Sequence, residues 1–174
     1  MILANYFVEE TDLDELWFVV SPQNPFKAAK SLLDEIHRYA IIDRTIENDT
    51  RFKVSKVEFD MPRPSYTIDT LAVLQEKYPS YQFSLIMGAD NLLHFSKWKN
   101  SEVILEQYRL LVYPRKGVES HQLMKHPRVT LVSAPEIELS ATYIRAAIKA
   151  QKDVSWYLPQ GGREYIQEMN FYKS

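Results

Sequence analysis

Short apolar runs alternate with stretches of helical periodicity along most of this chain. Leu16-Trp17-Phe18-Val19-Val20, Phe83-Ser84-Leu85-Ile86-Met87, Arg109-Leu110-Leu111-Val112-Tyr113 and Val129-Thr130-Leu131-Val132-Ser133 are too short for helices. They lack strict polar alternation, so they read as strands of a sheet covered on both faces. A further strand is expected near Phe52–Phe59. Between them, Ile2, Leu3, Tyr6 and Phe7 repeat at helical spacing. Ser31 with Asp34 resembles a capping box and opens a helix to about Asn48. Pro62 and Pro64 break the chain before a helix from Ser65 to about Tyr78. Short helical pieces cover Asn91–Phe95 and Ser101–Gln107, a helix follows Ser140 to about Ala150, and the last is about Gly162–Asn170. Strands alternating with helices imply an α/β fold, an open parallel sheet with helices on both faces. A chain of 174 residues is most simply one domain, 1–174. Ligands in such folds bind beyond the carboxyl ends of the strands.

Composition narrows the partners. The net charge is −2, and neutralising a phosphate backbone needs a basic face, so no nucleic-acid partner is expected. No apolar stretch reaches the ~20 residues of a membrane span. Cysteine is absent, which removes disulfides and thiol nucleophiles and fits a cytoplasmic location. Glycine occurs only at 88, 117, 161 and 162, so there is neither a G-x-G-x-x-G nor a P-loop. His37, His94, His121 and His126 form no close pair at metal-ligand spacing, and no metal-binding residues are assigned.

Leu139-Ser140-Ala141-Thr142-Tyr143-Ile144-Arg145 gathers two hydroxyls and a guanidinium at a helix start. Free N–H groups and the positive dipole end there favour an anion, and Arg145 grips phosphate oxygens with two prongs. The bland alternative is a Ser N-cap with a solvated Arg one turn on. Gly88-Ala89-Asp90 closes a strand. The glycine permits close approach and the aspartate accepts from ribose hydroxyls, or else Asp90 is a helix cap. Arg115 follows a strand and Lys27 a proline-marked loop. Each meets phosphate or is a solvated cation. Ser65-Tyr66-Thr67 opens a helix whose N–H groups suit a carboxylate or phosphate. Trp98, just past a sheet end, stacks on a flat heterocycle or packs under a loop.

Taken together, Ser65-Tyr66-Thr67-Ile68-Asp69-Thr70-Leu71, Met87-Gly88-Ala89-Asp90-Asn91-Leu92 with Phe95 and Trp98, and Ser140-x-Thr142-x-x-Arg145 resemble the bacterial nicotinate mononucleotide adenylyltransferase family. Ile2–Tyr6 and Ser21–Pro25 match as well. The resemblance implies a Rossmann-like nucleotidyltransferase fold. It implies adenylyl transfer from ATP, carried with Mg²⁺, to nicotinate mononucleotide, giving deamido-NAD and pyrophosphate. It places Ser140, Thr142, Arg145 and Arg115 on ATP phosphates, Gly88 and Asp90 on ribose, Trp98 on the pyridine ring, the Thr67 N–H on the nicotinate carboxylate, and Lys27 on a phosphate.

The family opens with a strand and a His-x-Gly-His loop that this sequence does not contain, so no catalytic residue is assigned. The expectation is a late start, with weak or no transfer by these 174 residues and nucleotide binding retained. An in-frame His-x-Gly-His upstream of Met1 would bear this out. Three other readings compete: a phosphopantetheine adenylyltransferase, whose pattern lacks the Ser-Tyr-Thr-Ile-Asp-Thr block, a non-catalytic nucleotide-binding domain, and a flavin-binding electron carrier.

Overall fold

The computed structural model describes residues 1–23, 33–118 and 120–173. Helix α1 (Ile2–Glu10) leads into strand β1 (Leu16–Val19), followed by α2 (Glu35–Ile46) and β2 (Phe52–Ser55). Helix α3 (Thr67–Lys77), β3 (Ser84–Gly88), the single turn α4 (Ala89–Leu92), α5 (Ser101–Gln107) and β4 (Arg109–Tyr113) come next. Strand β5 (Val129–Leu131) and helices α6 (Ala141–Lys149) and α7 (Gln160–Glu168) complete the order. All strand pairs are parallel. β1 lies beside β2, and β4 lies between β3 and β5.

Strand β4 shows why helices cover both faces. Its side chains alternate in direction. Leu110 and Val112 enter a core with Ile68, Leu71, Met87, Leu92, Phe95 and Ile104. Leu111 enters a second core with Ala4, Phe7, Leu16, Ile46, Phe52 and Val132. Leu110 and Leu111 are fully buried, and each such burial contributes roughly 1.5–3 kcal/mol.

Among the described residues the strands form two groups, β1–β2 and β3–β4–β5, which do not pair with each other. A cavity of about 980 Å³ is lined by Trp17, Phe18 and Val19 of β1 and by Ser84, Leu85 and Ile86 of β3. Two elements span the groups. Arg109 at the start of β4 makes a two-pronged pair with Asp12 before β1, at 2.6 and 2.8 Å. Helix α1 lies against both groups, and its Tyr6 hydroxyl donates to the Ser133 carbonyl at 2.9 Å.

Several boundaries differ from the sequence reading. The Phe52–Phe59 strand stops at Ser55, and Val57–Asp60 turn into a 3-10 segment. Asp34, not Ser31, caps α2, accepting from the Ile36 N–H at 3.0 Å; Ser31 lies outside the described residues. The last helix starts at Gln160, so Gly161 and Gly162 sit in its first turn. A Cβ on Gly161 would stand 2.1 Å from the Arg44 carbonyl oxygen, and one on Gly162 would stand 2.4 Å from the Thr45 hydroxyl. Packing of α7 on α2 therefore needs two glycines at a place where propensity alone disfavours helix.

Candidate active site

Because β3, β4 and β5 run parallel, their carboxyl ends open on one side. Gly88 pairs in register with Tyr113, which sets the segments that follow them next to each other. Asp90 and Arg115 face each other there, with Oδ1 and Nε 3.6 Å apart. Gly88 lies buried beneath this pair. A Cβ at that position would stand 2.4 Å from the Asp90 carboxylate and 2.9 Å from Arg115 Cγ, so the pair sits as it does only over a residue without a side chain. Asp90 is not a helix cap: Gly88 precedes α4, and no side chain caps it.

A cleft of about 440 Å³ is lined by Asp90, Arg115, Lys116, Glu138 and Ser140, with Leu3 of α1. Lys116 and Glu138 pair at 2.7 Å; both are highly exposed, so the pair adds little stability. Glu138 was not singled out from sequence, since it reads there as an ordinary solvated charge.

The N-cap reading of Ser140 holds. Its Oγ accepts the Tyr143 N–H at 3.1 Å as the N-cap of α6. That leaves the N–H groups of Ala141 and Thr142 unspent at the helix start and the Ser140 hydroxyl hydrogen free to donate. Arg145 donates through Nη2 to Thr142 Oγ1 at 3.2 Å. It pairs with no carboxylate among the described residues. Thr142 and Arg145 do not line the cleft itself.

Thr67 lines the larger cavity instead, together with Glu58 and Ser21, while Leu3 and Tyr113 line both spaces. The first backbone bond at this end of α3 is from the Thr70 N–H to the Tyr66 carbonyl at 3.0 Å. No side chain caps the helix. The Thr67 N–H is thus free of any partner among the described residues. Trp98 is half-buried, its ring 5.4 Å from that of Phe95, and it packs on the core. Asn100, at φ 49°, turns the chain from there into α5. Lys99 ties this loop to α3. It meets the Asp69 carboxylate at 2.7 Å and lies 5.0 Å from the centre of the Tyr66 ring. Trp98 and Thr67 are thereby held on neighbouring segments, a link with no local sequence signal. Lys27 lies outside the described residues.

His37 Nδ1 lies 2.9 Å from the Tyr165 hydroxyl, and His121 and His126 accept N–H groups of their own turns. Among the described residues no three His, Cys, Asp or Glu side chains gather as a metal site. No helix there is long and apolar enough to cross a membrane.

One expected consequence concerns Gly88. Gly88→Ala pushes Asp90 and Arg115 apart, and both are exposed enough to move. Tm should therefore change by less than about 4 °C. A thermal melt checks this.

Residues 1–147 match the family model described as cytidylyltransferase-like. The probable nicotinate-nucleotide adenylyltransferase of Christiangramia forsetii is 48% identical, over 99% of this chain and 90% of that protein. The protein of the same name from Bacteroides thetaiotaomicron is 43% identical, over 97% and 83%. Among solved structures, Plasmodium falciparum nicotinic acid mononucleotide adenylyltransferase complexed with NaAD superposes with a TM-score of 0.75 at 19% identity. That match covers 98% of this chain and 91% of the other, and it establishes the Rossmann-like nucleotidyltransferase fold. With close relatives spanning nearly its whole length, the chain belongs to the nicotinate-nucleotide adenylyltransferase family.

Proposed function

We propose that this chain transfers the adenylyl group of ATP to nicotinate mononucleotide, a step of NAD biosynthesis. The 5′-phosphate oxygen of the mononucleotide bonds to the α-phosphorus of ATP. The bond from that phosphorus to the bridging oxygen breaks, pyrophosphate leaves, and deamido-NAD forms. No covalent bond to the protein is needed, so catalysis is positioning together with stabilisation of phosphate charge.

The observation that carries this reading is the convergence of Asp90, Arg115 and Ser140 on one cleft at the ends of the parallel strands. The α6 start, with its free N–H groups, Thr142 and Arg145, stands beside it. Arg115, Ser140, Thr142 and Arg145 would hold ATP phosphates, and Gly88 and Asp90 the ribose. The Thr67 N–H would receive the nicotinate carboxylate and Trp98 the pyridine ring, with Lys27 on a phosphate. The described residues offer no cage of carboxylates for a metal. This fits a Mg²⁺ bound mainly through phosphates and water, which when present neutralises phosphate charge. The structure of the Plasmodium falciparum enzyme complexed with NaAD supports a pocket of this kind in the fold.

Mass spectrometry of a mixture of protein, ATP, Mg²⁺, nicotinate mononucleotide and phosphopantetheine tests the proposal. Whatever adenylylated product forms should be deamido-NAD, with an equal amount of pyrophosphate. Adenylylated phosphopantetheine in its place would overturn the reading.

A further inference from the structure

Glu58, Ser65 and Thr70 are the buried polar side chains among the described residues, and they form one cluster. The Ser65 hydroxyl donates to one Glu58 carboxylate oxygen at 2.5 Å, and the Thr70 hydroxyl donates to the other at 2.7 Å. Glu58 is carried on the 3-10 segment that leaves β2, and that segment is itself fixed. The Val57 N–H donates to Ser55 Oγ at 3.3 Å, the Met61 N–H to the Glu58 carbonyl at 3.2 Å, and the Phe59 ring meets Tyr39 edge-on. One rigid carboxylate therefore grips the α3 entrance on both sides of Thr67, two residues before it and three after.

Burying a carboxylate is costly, and an apolar trio of similar volume commonly serves stability as well or better. What the trio does supply is geometry. With Ser65 and Thr70 both fixed, the backbone between them is held, and with it the direction of the Thr67 and Ile68 N–H groups. Glu58 and Thr67 line the same cavity.

We propose that Glu58 is a positioning residue for the acceptor end of the site. Through Ser65 and Thr70 it aims the α3 N–H groups at the carboxylate of the incoming pyridine nucleotide. This rests on the adenylyltransferase reading above. Glu58 itself touches no reacting atom.

The test uses the full chain carrying Glu58→Leu, Ser65→Ala and Thr70→Val together, which leaves no buried polar group without a partner. Calorimetry with nicotinate mononucleotide should show affinity falling about tenfold, with ATP affinity within about twofold of wild type and Tm unchanged or raised. Thr70→Ser, which keeps the hydroxyl, should bind like wild type. Amide hydrogen exchange at Leu71, in the first hydrogen-bonded turn of α3, should speed up in the triple variant. A folded triple variant that binds nicotinate mononucleotide as wild type does overturns the proposal. Should the triple variant not fold, Ser65→Ala alone decides by the same comparison. If wild type itself does not bind nicotinate mononucleotide, the functional reading has failed. The positioning claim then stands or falls on the exchange data: unchanged exchange at Leu71 overturns it.

Discussion

Arg145→Ala should lower the affinity for ATP by about thirtyfold, the largest loss expected from a single change in the nucleotide half. Arg145 is half-buried, its guanidinium held toward Thr142 and without a carboxylate partner among the described residues. Its removal therefore breaks no existing ion pair and leaves the fold intact. What goes is a two-pronged, charge-assisted grip on phosphate, and hydrogen bonds to charged groups contribute roughly 1.5–3 kcal/mol. Arg145→Lys keeps the charge and loses the fork, so it should fall between the two. Calorimetry with ATP at fixed salt decides. Wild-type affinity in the alanine variant would remove α6 from the nucleotide site.

The second large effect is on stability and comes from the packing of α7 on α2. Gly161→Ala should lower Tm by about 5–10 °C. On helix propensity alone the change should stabilise, since alanine is favoured over glycine by about 1 kcal/mol in a helix interior. The sign reverses because the new methyl would stand 2.1 Å from the Arg44 carbonyl oxygen and 2.8 Å from its carbon. That neighbour is backbone and cannot rotate away. Relief requires α7 to lift from α2, straining the Arg44–Glu168 pair at 2.7 Å and the stacking of Arg44 on Tyr165 at 4.5 Å. No residue of α7 lines either the nucleotide cleft or the larger cavity, so ATP affinity should not change at temperatures where the variant is folded. A thermal melt with parallel calorimetry checks both halves. An unchanged or raised Tm would mean that the two helices are not packed this closely.

These two residues also mark how far the sequence could be read. Arg145 was legible because its setting is local: a hydroxyl cap, a helix start and a guanidinium one turn on. The strands β3 and β4 were legible for a similar reason, since short apolar runs between turn signals have few other uses. Gly161 was not. It reads as a helix breaker, and only the approach of α2 explains why glycine begins α7. Glu58 was hidden in the same way. Phe52–Phe59 has the composition of one long strand, and nothing local shows that the chain turns at Val57 to carry a carboxylate under α3. Trp98 and Thr67 were each singled out alone, but their linkage through Lys99 and Asp69 depends on segments far apart in the chain. Asp90 was ambiguous between cap and ligand until the register of β3 with β4 set it opposite Arg115. Local chemistry was therefore readable, and what tertiary contact decides was not.

The measurement closest to the central claim is titration of the chain with deamido-NAD, which carries both halves of the proposed site in one molecule. A single class of site is expected, with ATP and nicotinate mononucleotide each competing for it. Trp98→Ala should weaken deamido-NAD and nicotinate mononucleotide by about tenfold while leaving ATP unaffected. Competition by phosphopantetheine but not by nicotinate mononucleotide, or a Trp98→Ala variant that binds deamido-NAD as wild type does, would contradict it.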